Sequence, residues 1–129
     1  MDFMNKKVIV TGANRSMGRT MALAFALQGA DVVISYRSDE AGARETLEAI
    51  KATGRDALAL YANFACMGDV AVFVKKAIEY LGHVDVLINN AGMLCRETLF
   101  ELSPEKMQQV FQVNTISPLY LLNCVRMIW

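Results

Sequence analysis

Four times along the chain, a short apolar run is followed by a longer stretch in which apolar residues recur every three or four positions. Lys7 to Val10 is the first such run; after a turn of small residues comes Met17 to Leu27, apolar almost all round. A helix of that kind lies wedged between a sheet and other helices rather than at the surface. Gly29 closes it, and Asp31 to Tyr36 reads as a second strand through Val32, Val33 and Ile34. Ser38 is the expected N-cap of a helix running to Thr53, with Ala43, Leu47 and Ile50 on one face and Arg44, Glu45, Glu48 and Lys51 on the other. Gly54 ends that helix, and Ala57 to Tyr61 is a third strand. Val70, Phe73, Val74, Ala77, Ile78 and Leu81 keep the helical period up to Gly82. Val84 to Ile88 is a fourth strand, interrupted in apolar character only by Asp85. Ser103 and Pro104 are an N-cap and first-turn pair opening a long helix through Met107, Val110 and Phe111, which Pro118 should kink or interrupt.

Strands alternating with helices through short connections predict an α/β protein, a Rossmann-type parallel sheet with helices on both faces. The most economical strand order is 3-2-1-4, with a ligand crevice between strands 1 and 4 where the winding reverses. No linker or low-complexity stretch divides the chain, so residues 1–129 are expected to form a single domain. The sequence reaches Trp129 close behind the fourth strand–helix unit, so the expectation is only the first half of such a sheet.

Composition narrows the partners. Hydrophobic residues make up 54% and charged residues 20%, which suits a sheet covered on both faces and argues against disorder. Thirteen basic and thirteen acidic residues cancel, so no overall field steers the chain to nucleic acid or to an anionic membrane. No uncharged apolar run approaches the ~20 residues of a membrane span. The expectation is a soluble, cytoplasmic protein with a small-molecule partner. Cys66, Cys95 and Cys124 contain no C-x-x-C pair, and His83 is the lone histidine, so reduced thiols and no metal site are expected.

The candidate chemistry begins at Thr11-Gly12-Ala13-Asn14-Arg15-Ser16-Met17-Gly18. Strand, small-residue turn and helix in that order build a cradle for a pyrophosphate: Gly12 permits a sharp bend, and Ser16 and Gly18 keep bulk off the approach. The helix starting near Met17 offers unpaired N–H groups and its positive dipole end. Taken alone, such a turn also serves plain packing, and Asn89-Asn90-Ala91-Gly92 alone reads equally as an ordinary turn. After the second strand, where an acidic residue would hold a ribose 2′-hydroxyl, the chain has Tyr36-Arg37-Ser38. Arg15 and Arg37 can converge on a 2′-phosphate, while Asp39 nearby keeps an NAD reading open.

Thr11-Gly12-x-x-x-Ser16-x-Gly18, Asn89 to Gly92 and Asn114 together resemble the short-chain dehydrogenase/reductase family, and the resemblance covers the whole chain. It implies hydride transfer between NADPH and a small carbonyl or alcohol. It also implies a dinucleotide-binding domain in which NADP would be held by Gly12, Asn14, Arg15, Ser16, Met17 and Gly18, by Tyr36, Arg37 and Ser38, by Asn63 and Phe64 at the adenine, and by Asn90, Ala91 and Gly92 near the ribose. Asn114 corresponds to the asparagine of a catalytic tetrad, where it holds a water of the proton relay; Val113 and Ile116 around it suggest a largely buried segment. Ser16 departs from the family's middle glycine, which is tolerated if φ stays negative, whereas a left-handed backbone there would cost about 1 kcal/mol. The tetrad's serine, tyrosine and lysine would lie beyond the equivalent of Trp129. Tyr36, Tyr61, Tyr80 and Tyr120 are followed four positions later by Glu40, Ala65, Val84 and Cys124, so no Tyr-x-x-x-Lys occurs. The expectation is an NADP-dependent oxidoreductase lacking most catalytic residues, with strand four an apolar edge and self-association through the last helix. A non-catalytic nucleotide-binding module and a nonfunctional fragment are the alternatives.

Overall fold

Alternation of side chains along the first strand decides which helices lie on which face. The computed structural model describes residues 2–126. In β1 (Lys7–Val10), Val8 and Val10 enter one buried cluster and Ile9 the other. In β2 (Asp31–Tyr36), Val32 and Ile34 join the first cluster and Val33 the second. α1 (Ser16–Leu27) and α2 (Glu40–Lys51) cover the first face through Ala22, Ala26, Ala43 and Ile50. α3 (Met67–Leu81) and α5 (Ser117–Arg126) cover the second through Val70, Phe73, Ala77, Leu121 and Val125. Both faces of the central strands are therefore dry, which is why they read as continuous apolar runs.

β3 (Ala57–Tyr61) pairs with β2, and β4 (Val86–Ile88) pairs with β1, all parallel, in the order β3-β2-β1-β4. The expected order is observed. β4 is two residues shorter than expected because the ladder opens at Val8↔Val86, while Asp85 turns aside to accept a 2.8 Å hydrogen bond from the Lys7 backbone N–H. The N-cap of α2 is Asp39 and not Ser38: the Asp39 carboxylate accepts from the Gly42 N–H at 2.9 Å, leaving Ser38 exposed on the loop. Ser103 caps α4 (Pro104–Phe111) as expected, accepting from the Lys106 N–H at 3.1 Å. As expected of Pro118, the long helix is interrupted: α4 gives way to one wide π-turn, Gln112–Ile116, immediately before the proline, and α5 then continues to Arg126, the last described residue. No helix among the described residues is long and apolar enough to cross a membrane, and all three cysteines are free thiols.

At the N-terminal ends of the strands, the Asp31 carboxylate (7% exposed) gathers Lys7 Nζ at 2.6 Å, an Arg55 guanidinium nitrogen at 3.0 Å and the Asp56 N–H at 3.2 Å. Burial alone would raise the Asp31 pKa, but the Lys7 hydrogen bond, the Asp56 amide and the two cationic charges outweigh it and hold the carboxyl below its ordinary 3.8. A carboxyl depressed in the folded state contributes its full stabilisation above the unfolded value, and loses it as pH falls through the lower native one. Asp31→Asn is therefore expected to cost about 2 kcal/mol at pH 7, less than a fully buried pair because Lys7 and Arg55 stay partly solvated. The difference from the parent should shrink as pH is taken below 3.8, a trend that denaturant melts at pH 7 and pH 3 would read. An equal cost at both pH values would refute the assignment.

Candidate functional site

The turns at the C-terminal ends of β1 and β4 are laced through one buried hydroxyl. Thr11 Oγ1 accepts from the Asn90 N–H at 3.0 Å and the Ala91 N–H at 2.9 Å, and the Asn90 side-chain amide donates to the Gly12 carbonyl at 3.1 Å. Gly12 has φ +64, and a β-carbon there would lie 3.0 Å from the Ala91 Cα, so the close approach of the two turns requires glycine. On the other side, the Gly12 N–H donates to Ser35 Oγ at 2.9 Å and the Ala13 N–H to the Ser35 carbonyl at 3.1 Å, tying the same turn to β2.

Arg19 and Asp39 fasten this turn to α2. One Arg19 guanidinium nitrogen donates to the Asn14 carbonyl at 2.7 Å and to the Gly42 carbonyl at 3.0 Å, while its Nε donates to Thr46 Oγ1 at 2.9 Å. The Asn14 side-chain amide donates to Asp39 at 3.2 Å. The Gly42 amide first, then the Asn14 amide, hold the Asp39 carboxyl below its ordinary pKa, with Arg15 and Arg19 adding charge. Asp39 is thus an ionised carboxylate with both oxygens engaged inside the protein.

Between these turns lies a cleft of about 360 Å³ at the C-terminal ends of the strands. The β1–α1 turn supplies Gly12, Asn14, Arg15, Ser16, Met17 and Gly18 to its wall. The end of β2 supplies Tyr36, Arg37 and Ser38, the end of β3 supplies Asn63 and Phe64, and the end of β4 supplies Asn90, Ala91 and Gly92. Every residue expected at a dinucleotide thus borders one space, although the four segments are far apart in sequence. Arg15, at the N-cap of α1, is extended (φ −165) and gives no side-chain cap, so the first amides of α1 are left to an outside acceptor. Phe64 is only 4% exposed, and its ring packs on Phe73 with centroids 6.0 Å apart, so its bulk belongs to the core. Asn63 Oδ1 accepts from the Ala65 N–H at 3.0 Å, which leaves its amide nitrogen as the group able to meet a ligand.

One open condition is settled and one expectation is corrected. Ser16 has φ +54, so its backbone is left-handed despite the β-carbon and carries the strain of about 1 kcal/mol that this conformation imposes on serine. Asn114 is exposed and its neighbour Ile116 is 45% exposed, so the segment is not largely buried; only Val113 faces the core, at 5%. These positions lie in the π-turn, whose one buried residue is Val113. Asn114 is nevertheless fully engaged: its Oδ1 accepts from the Met93 N–H at 2.7 Å and its Nδ2 donates to the Met93 carbonyl at 2.8 Å, clamping the strand-four loop to the helix. It does not itself line the cleft, but Met93 does. Ser35, Ala62, Met93 and Val113 also border the space and escaped the sequence reading, because nothing in their local pattern separates them from ordinary core and loop residues. Among the described residues, no group of three or more His, Cys, Asp or Glu side chains is placed to hold a metal ion.

Comparison with known proteins agrees with this geometry. Residues 6–128 match a family model described as short chain dehydrogenase. A tetrahydroxynaphthalene reductase of Pestalotiopsis fici is 36% identical over 115 residues, covering 88% of this chain and 41% of the relative. A 3-oxoacyl-(acyl-carrier-protein) reductase of Staphylococcus epidermidis is 34% identical over 123 residues, covering 95% of this chain and 49% of the relative. A blue fluorescent protein from a metagenomic library, solved in complex with NADPH, superposes with a TM-score of 0.94 at 29% identity, covering 98% of this chain and 52% of that one. The chain spans about half the length of the relatives it matches.

Proposed function

Since the chain belongs to the short-chain dehydrogenase family, we propose that it holds the adenosine and diphosphate of NADP in its cleft, as the coenzyme-binding part of an oxidoreductase acting on a small carbonyl or alcohol. What supports the reading is one observation: Gly12 to Gly18, Tyr36 to Ser38 and Asn90 to Gly92 border a single space beside an uncapped helix N-terminus. The residues fit the group. A β-carbon at Gly18 would overlap the Gly12 carbonyl oxygen, so the floor of the cradle admits no side chain. When bound, the coenzyme would supply a hydride to a carbonyl in its reduced form, or take one from an alcohol in its oxidised form. The chain's own residues place it: first-turn amides of α1 receive the diphosphate, Arg15 and Arg37 face the adenosine ribose, and Asn63 offers its amide to the purine.

The preference for NADP over NAD rests on charge. Arg15 and Arg37 are exposed on the two turns nearest the expected 2′-position. Asp39, the acidic residue that would favour a 2′-hydroxyl, is already committed to Gly42 and Asn14. Asn114 is the one tetrad member proposed here, acting from its clamp on Met93. The partner serine, tyrosine and lysine are assigned to the part of the relatives' length that this chain does not span. Exposed Ile116, at the end of the π-turn, and Leu119 and Leu122 along α5 support self-association through that last helix as part of the same reading. Titration calorimetry with each coenzyme tests the proposal: NADP should bind at least tenfold more tightly than NAD. Equal affinities or an NAD preference would reject the charge argument, and no heat with either would reject the cleft as a nucleotide site.

A further inference from the structure

Ser16 holds a backbone conformation its side chain opposes, and nothing inside the protein accounts for keeping that side chain. Among the described non-glycine residues, only Ser16 (φ +54) and Asn5 (φ 61) are left-handed, and asparagine tolerates that region where serine does not. Ser16 is exposed on the wall of the cleft, at the first residue of α1, next to the uncapped amides. Its carbonyl accepts from Thr20 Oγ1 at 3.1 Å, but its own hydroxyl has no hydrogen-bond partner among the described residues. A glycine would satisfy the backbone better and leave the cleft equally open. The hydroxyl is therefore the one thing serine adds.

We propose that Ser16 Oγ donates a hydrogen bond to a diphosphate oxygen of the bound coenzyme, supplementing the α1 amides with a side-chain donor where the family pattern has glycine. The inference rests on the dinucleotide reading of the cleft. The chemistry is that of a neutral hydroxyl meeting an anionic acceptor at a helix N-terminus, where the dipole already favours the anion and a charge-assisted bond is short and strong. It makes Ser16 a determinant of affinity for the diphosphate bridge and not for the adenosine end.

The test compares the unsubstituted chain with Ser16→Gly and Ser16→Ala, using NADP and adenosine 2′-monophosphate as probes; the second carries the 2′-phosphate but no diphosphate. Both variants should bind NADP about tenfold more weakly, and adenosine 2′-monophosphate as the unsubstituted chain does. Ser16→Gly should also melt at a higher temperature, because glycine adopts this φ readily, and that rise separates loss of a ligand contact from loss of the fold. NADP affinity within twofold of the parent, tighter binding by Ser16→Gly, or an equal loss for both probes would each overturn the assignment. Failure of the unsubstituted chain to bind NADP at all would overturn the dinucleotide reading itself, and with it this inference.

Discussion

Placing a single methyl at Gly18 is expected to abolish measurable NADP binding and to lower stability by roughly 3 kcal/mol. A β-carbon at Gly18 would overlap the Gly12 carbonyl oxygen and lie 2.5 Å from Asn90 Nδ2 and 2.9 Å from the Ala13 Cα. None of these atoms can yield cheaply. The Gly12 carbonyl and the Asn90 amide are bonded to each other at 3.1 Å, and Asn90 is held in turn by Thr11. Relief requires α1 to move away from the sheet or the β4 turn to lift off the β1 turn, and either motion opens the cradle. Gly54→Ala is the matched control. Its φ of +88 imposes left-handed strain of about 1 kcal/mol, yet a β-carbon there meets nothing within 4 Å, and the site is remote from the cleft. Urea melts and calorimetry on both variants give the answer. NADP affinity of Gly18→Ala within twofold of the parent would mean that the ligand does not use this cradle.

The second large effect is one of selectivity. Arg15→Ala with Arg37→Ala should weaken NADP binding about a hundredfold, roughly 3 kcal/mol, while changing NAD affinity by less than threefold. Each arginine alone offers a charge-assisted bond to the 2′-phosphate, but both are solvent-exposed, so the pair is placed at the low end of the additive range. Exposure carries a second consequence: the NADP preference of the unsubstituted chain should shrink as salt is raised towards 1 M, and that of the double variant should not change. A parallel loss of both coenzymes would mean that the arginines hold the loops and do not sense the phosphate.

Much of the fold was legible because it is written in local periodicity. The apolar runs at 7–10, 31–36 and 57–61 became strands with the boundaries their composition suggested, and their parallel pairing in the order 3-2-1-4 followed from helix-length connections. Ser103 capped its helix because capping depends on residues three positions apart. Ser38 failed the same test only because Asp39, one position on, has the stronger acceptor and reaches both Gly42 and Asn14. The last of these contacts spans 25 residues, beyond the reach of any local rule.

The sequence by itself determined which segments would meet at the strand ends: small residues after β1, arginine after β2, asparagines after β3 and β4 each follow an apolar run, and parallel strands deliver all their C-terminal ends to one edge. Only the tertiary structure decided how those segments touch. Thr11 bonds amides 79 and 80 positions away, Asn114 clamps a loop 21 positions back, and Ser16 is bent left-handed by a turn anchored on Ser35 and Asn90. Periodicity reports the burial of a face, whose physics is additive along a few residues. A hydrogen bond between distant turns depends on ångström-scale placement of whole elements, and no property of either residue alone carries that information.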